Sequence, residues 1–180
     1  MKLVTLIAIV FSTSCVFAQE DPPTCIKSNK LKPADIRKLF PYNQAASIRI
    51  VSFKREDPDS DERRKIPLKE GKVNPERMFE SVTLNETLRV KLEDVLLNYI
   101  SRPGVKYGEV YACYEPRNAI LFFDKSENII GYIELCFDCY GLKIEPGTIF
   151  LGMFCSTTYN EMKKIFIEAG ITYGMKGNMQ

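Results

Sequence analysis

The sequence predicts an α+β fold: an antiparallel sheet with two amphipathic helices packed on one face. Three observations predict it. Two stretches carry one apolar stripe at helical spacing, and several others alternate with a period of two. The composition, 45 % hydrophobic and 27 % charged, is that of a folded domain rather than a disordered or fibrous chain. Elements with a single apolar face must bury it against one another, and helices laid on one side of an antiparallel sheet satisfy all of them.

The first element is an address. Lys2 precedes an apolar run over residues 3–11, and Val16 and Ala18 occupy the −3 and −1 positions of a cleavage site. Residues 1–18 are therefore expected to be a secretory signal peptide, and the run is too short to span a bilayer. A competing reading makes Cys15 a lipid anchor, but Ser12 stands where that motif wants an aliphatic residue. No later stretch is long and apolar enough for a membrane helix, so none is expected in the mature chain.

Residues 19–30 are polar and contain Pro, which predicts a flexible N-terminal tail carrying Cys25. Residues 31–180 are then one domain by length. Pro33 suits the first position of a short helix over residues 32–40, whose Ile36, Leu39 and Phe40 share a face. Residues 46–53 alternate as a strand. Residues 54–77 break the pattern, and the segment KREDPDSDERRK predicts a solvated charged loop. Its Asp57-x-Asp59-x-Asp61 fails as a calcium loop, because Glu62 and Leu68 stand where Gly and Glu are needed.

Residues 78–82 make a short strand. Thr83-Leu84-Asn85-Glu86 is a capping box with Thr83 as the cap. Leu84, Leu88, Leu92, Val95, Leu96 and Tyr99 form the stripe of the first long helix, which Arg102-Pro103-Gly104 stops. Residues 107–123 and 128–144 read as a hairpin. Pairing Asp124 with Asn128 sets Phe123 opposite Ile129, Leu121 opposite Gly131 and Cys113 opposite Cys139. The nearly all-apolar residues 149–155 predict a central strand. Thr158-x-x-Glu161 caps a second helix with Tyr159, Met162, Ile165, Phe166 and Ala169 as its stripe, and Gly170 ends it.

Cleavage removes Cys15 and leaves Cys25, Cys113, Cys136, Cys139 and Cys155, an odd number in an oxidising compartment. Spacing alone does not fix their pairing. The hairpin register favours Cys113–Cys139, then Cys113–Cys136, with Cys155 a further disulfide candidate. Cys136-Phe137-Asp138-Cys139 is a C-x-x-C, the spacing of a thiol oxidoreductase. That chemistry wants a Cys at a helix N-terminus, whereas Cys136 lies in a strand and Asp138 disfavours a thiolate. Residues three apart in a regular strand also lie about 10 Å apart, too far to bridge each other. A four-thiolate metal site from Cys113, Cys136, Cys139 and Cys155 lacks a second C-x-x-C.

The absent His removes Ser-His-Asp and Cys-His nucleophiles and every His-ligated metal site. A formal charge of +2 gives no reason to expect nucleic acid as a partner. No cofactor is expected.

Cys113-Tyr114-Glu115-Pro116-Arg117-Asn118, an apolar strand, and Cys136-Phe137-Asp138-Cys139 together resemble a pattern in uncharacterised exported bacterial proteins, over about a third of the chain. Members of that group often carry His after the Pro-Arg, where this chain has Asn118. The resemblance implies export and fold, and no activity. The sequence thus points to an exported, periplasmic or secreted, non-enzymatic domain that binds or supports a protein or envelope component. A Cys136–Cys139 oxidoreductase and a Cys-ligated metal module are the alternatives.

Overall fold

The computed structural model describes residues 24–54, 66–69, 71–100 and 114–175. The expected signal peptide, half of the expected charged loop and Cys113 lie outside the described residues.

The centre is a five-stranded antiparallel sheet of order β5-β2-β7-β8-β9, formed by β2 (Ser47–Phe53), β5 (Met78–Thr83), β7 (Asn118–Phe123), β8 (Ile129–Cys136) and β9 (Gly141–Glu145). Register places Val82, Ile50, Ile120, Ile133 and Ile144 side by side across all five strands. This row of β-branched side chains fills the face that the helices cover. α2 (Glu86–Leu97) brings Leu88, Leu92 and Leu96 to it, and α3 (Ser156–Glu168) brings Met162, Ile165 and Phe166. The expected α+β architecture and both helical stripes are therefore present.

The opposite face is buried as well. Val51, Phe53, Ala119, Leu121 and Phe123 pack with Ile66 and with Leu68 and Val73 of a small hairpin, β3 (Leu68–Lys69) and β4 (Lys72–Val73). The end of the predicted charged loop is thus a structured cover, because five apolar side chains beneath it need one. Burial on both faces explains why every residue of β7 is buried.

Several boundaries differ from expectation. The cap of α2 is Asn85, whose side chain accepts the Leu88 N–H at 2.9 Å, while Thr83 ends β5. Asn85→Ala is expected to lower stability by about 1 kcal/mol in a urea titration, the usual loss for an N-cap. α3 starts at Ser156 with Cys155 as its cap. Thr158 Oγ1 accepts the Cys155 N–H and donates to the Cys155 carbonyl, each at 2.8 Å. The first helix is a single turn, α1 (Pro33–Ile36). In the β7–β8 hairpin Phe123 does face Ile129, but a bulge between Phe122 and Phe123 puts Phe122 opposite Gly131, one residue off the expected register.

After α3, Gly170 turns the chain in the left-handed region (φ +95°), and residues 171–175 return to the sheet end. There Glu80 accepts from Ser52 Oγ at 2.5 Å, Thr172 N–H at 2.9 Å, Thr172 Oγ1 at 2.7 Å and Tyr173 N–H at 3.1 Å. Burial alone would raise the Glu80 pKa, but these hydrogen bonds prevail and hold it at about 2, below its ordinary 4.5. A depressed folded-state pKa stabilises above the unfolded value and is lost on acidification. Glu80 thus contributes about 2 kcal/mol above pH 4.5, after allowance for solvent screening, and the contribution fades as pH falls from 4.5 through 2. Unfolding midpoints at pH 7 and pH 3 should differ less in Glu80→Gln than in the wild type; an equal difference would refute this role.

Among the described residues no helix is long and apolar enough to cross a membrane.

Candidate functional site

The cysteines pair as Cys25–Cys155 and Cys136–Cys139, with Cα atoms 5.9 and 5.5 Å apart. This corrects the expected Cys113–Cys139 and Cys113–Cys136 pairings. Cys113 lies outside the described residues, and both of its expected partners are joined to each other. Cys136 and Cys139 can bridge because they do not share a regular strand: β8 ends at Cys136. The chain reverses through residues 137–140, with Tyr140 in the left-handed region (φ 51°), so the two Cα atoms approach. Of the four-thiolate metal set, Cys136, Cys139 and Cys155 stand in disulfides and Cys113 lies outside the described residues.

All four bonded cysteines are buried. Cys136 stands at a strand end, and Asp138 beside it carries its charge toward Arg117, 3.4 Å away. Cys155 caps α3, where the helix dipole would favour a thiolate, but its Sγ is committed to Cys25 and is fully enclosed.

The Cys25–Cys155 bond holds an N-terminal arm that the sequence reads as a tail. β1 (Ile26–Lys27) pairs with β6 (Tyr99–Ile100) at the end of α2. Asn98 is the hub of the attachment. Its carbonyl accepts from Ser28 N–H at 2.7 Å, its Oδ1 accepts from Leu31 N–H at 2.9 Å, and its Nδ2 donates to the Leu31 carbonyl at 2.9 Å. A bridge from Lys27 to Asp94 ties the arm to α2.

Facing the arm is the apolar run over residues 149–154, which forms an irregular surface segment and not the expected central strand. Its N–H groups go singly to separate partners: Phe150 to the Phe40 carbonyl, Gly152 to Leu96 and Met153 to Tyr99. Gly152 lies so close to this neighbour that a Cβ there would stand 2.8 Å from the Leu97 carbonyl and 2.9 Å from that of Tyr99. Buried Tyr42 donates to the Phe150 carbonyl at 3.3 Å, and burial, aided by the Glu93 charge, keeps its phenol neutral by pushing its pKa up.

Between arm and segment lies an open groove of about 530 Å³. Leu31, Leu97, Tyr99, Ile100, Phe150 and Met153 supply its apolar walls, with Ser28 and Lys30 on the arm side. Phe150 is 51 % exposed and Ile100 37 %. The groove escapes a sequence reading because its parts come from three separate stretches. One signal exists: an apolar run interrupted by Gly152 is a poor regular strand.

Two buried carboxylates elsewhere act as internal ties. Glu134 accepts from Ile66 N–H at 2.6 Å and Tyr114 Oη at 3.1 Å, which fastens the cover to the second sheet face. Glu93 meets Arg89 at 2.7 Å and Arg37 at 3.9 Å.

Comparison with described protein families, with curated proteins and with solved structures gives no match for this chain.

Proposed function

We propose that the chain is an exported, non-enzymatic binding domain of the cell envelope or the extracellular space, with the groove between arm and segment as its contact surface. The observation that carries this reading is the pair Phe150 and Ile100, large apolar side chains left more than a third exposed on the walls of one groove. Exposed apolar side chains gathered at a concave surface mark sites of contact. The two disulfides support an oxidising address, in keeping with the signal-like residues 1–18. The test is a pull-down from native envelope with the wild type and Phe150→Asp. A partner retained by the first and lost by the second is expected, and equal capture would remove the groove from the function. By mass spectrometry, a mature N-terminus at Gln19 is expected and would exclude the lipid anchor at Cys15, while a chain that keeps residues 1–18 in its host would overturn the address.

A second reading rests on the joined Cys136–Cys139 pair. As an oxidoreductase, the reduced dithiol would pass two electrons and two protons to a disulfide substrate and close its own bond. Burial of both sulfurs and the nearby Asp138 weigh against it. Reduction of insulin by dithiothreitol, run with wild type and Cys136→Ser, separates the readings; only a faster rate with wild type supports exchange.

A further inference from the structure

We propose that the groove takes a single-chain apolar anion, an alkyl carboxylate of the fatty-acid class, with its chain along the apolar walls and its carboxylate at Lys30. The inference rests on the groove being the binding surface and names the ligand class.

Polar groups on the groove wall are largely committed within the protein. Ser28 Oγ donates to the Asn98 carbonyl at 3.2 Å, and the Asn98 side chain is shared between Leu31 and Asp94. They leave little to specify a polar ligand. Of the charged groups around the arm, Asp94 holds Lys27, Asp35 holds Lys38 and Glu86 holds Arg37, while exposed Lys32 has no carboxylate partner among the described residues but does not line the groove. Lys30 differs. It lines the groove, it is exposed, and among the described residues no carboxylate pairs with it. An uncompensated ammonium at an apolar groove is the complement of an apolar chain with one anionic head. A compact ammonium accepts a carboxylate without demanding the planar two-point geometry that an arginine would impose. The volume of about 530 Å³ lies within the range of small-ligand sites.

The test is calorimetric titration of the mature chain with sodium dodecanoate below its micelle concentration. Decanoate and dodecyltrimethylammonium serve as comparators. Dodecanoate should bind, and decanoate should bind roughly two- to fourfold more weakly for each methylene removed. Dodecyltrimethylammonium should bind about tenfold more weakly at low salt, with the gap narrowing as salt rises. Lys30→Glu should abolish or reverse the preference for the anion, and Phe150→Asp should weaken both ligands while leaving the melting temperature within a few degrees. No binding of dodecanoate, or an anion preference that survives Lys30→Glu, would overturn the inference. If Phe150→Asp still separates capture of an envelope partner in that case, the binding-domain reading stands and only the ligand class falls.

Discussion

Replacing Cys25 and Cys155 together by Ser lowers the stability of the oxidised domain by about 5 kcal/mol, on the loop-entropy account of disulfides. The bond spans a sequence separation of 130 and so restricts most of the unfolded chain. Replacing Cys136 and Cys139 together costs only about 2 kcal/mol on the same account, since that bond closes a separation of 3. Domains of this size hold about 5–15 kcal/mol in all, so the first variant is expected to be partly unfolded at 37 °C and the second to remain folded. Chemical denaturation of the two double variants, measured side by side, decides the matter. The reverse order of stability would show that Cys25–Cys155 is not the principal crosslink.

Asn98→Ala should lower stability by about 3 kcal/mol. The side chain is 2 % exposed and meets both the N–H and the carbonyl of Leu31. Truncation leaves two backbone groups of the arm without partners in a partly enclosed site, and each such group costs about 1–3 kcal/mol. The same change loosens one wall of the groove, because Leu31 loses its anchor to the end of α2. Hydrogen exchange should therefore quicken at the Leu31 amide before it quickens in β7. A loss under 1 kcal/mol, with unchanged exchange at Leu31, would mean that the disulfide alone positions the arm.

The fold was legible wherever one element's periodicity decided it. All six residues of the first stripe, from Leu84 to Tyr99, are buried, and so are Tyr159, Met162, Ile165 and Phe166 of the second. Period and spacing report which face is buried, and both helices obey them. What escaped were features set by contacts between distant stretches. The hairpin turn was right at Phe123 and Ile129, but a one-residue bulge beyond it shifted every later pair. Thr83 looked like a cap because its local pattern suits one, yet pairing with Arg49 draws it into β5 and leaves Asn85 to cap. Residues 149–154 carry the composition of a core strand, and only the neighbouring arm and α2 end show why they lie at the surface. The site was the least legible part. Cys25 and Asn98 become legible only when residues far apart in sequence are brought to one place.

The nesting of the two disulfides also orders the chain's covalent assembly. In the export proposed above, with residues 1–18 and their Cys15 removed, Cys25 emerges first of the remaining cysteines and its partner Cys155 last. Cys113, Cys136 and Cys139 all pass while Cys25 waits as a thiol, and the short Cys136–Cys139 bond can close during that wait. Pairing in order of appearance would join Cys25 to the wrong sulfur. On the proposed route of export, correct oxidation needs disulfide reshuffling, and yields of the native form should depend on an isomerase more than on an oxidant.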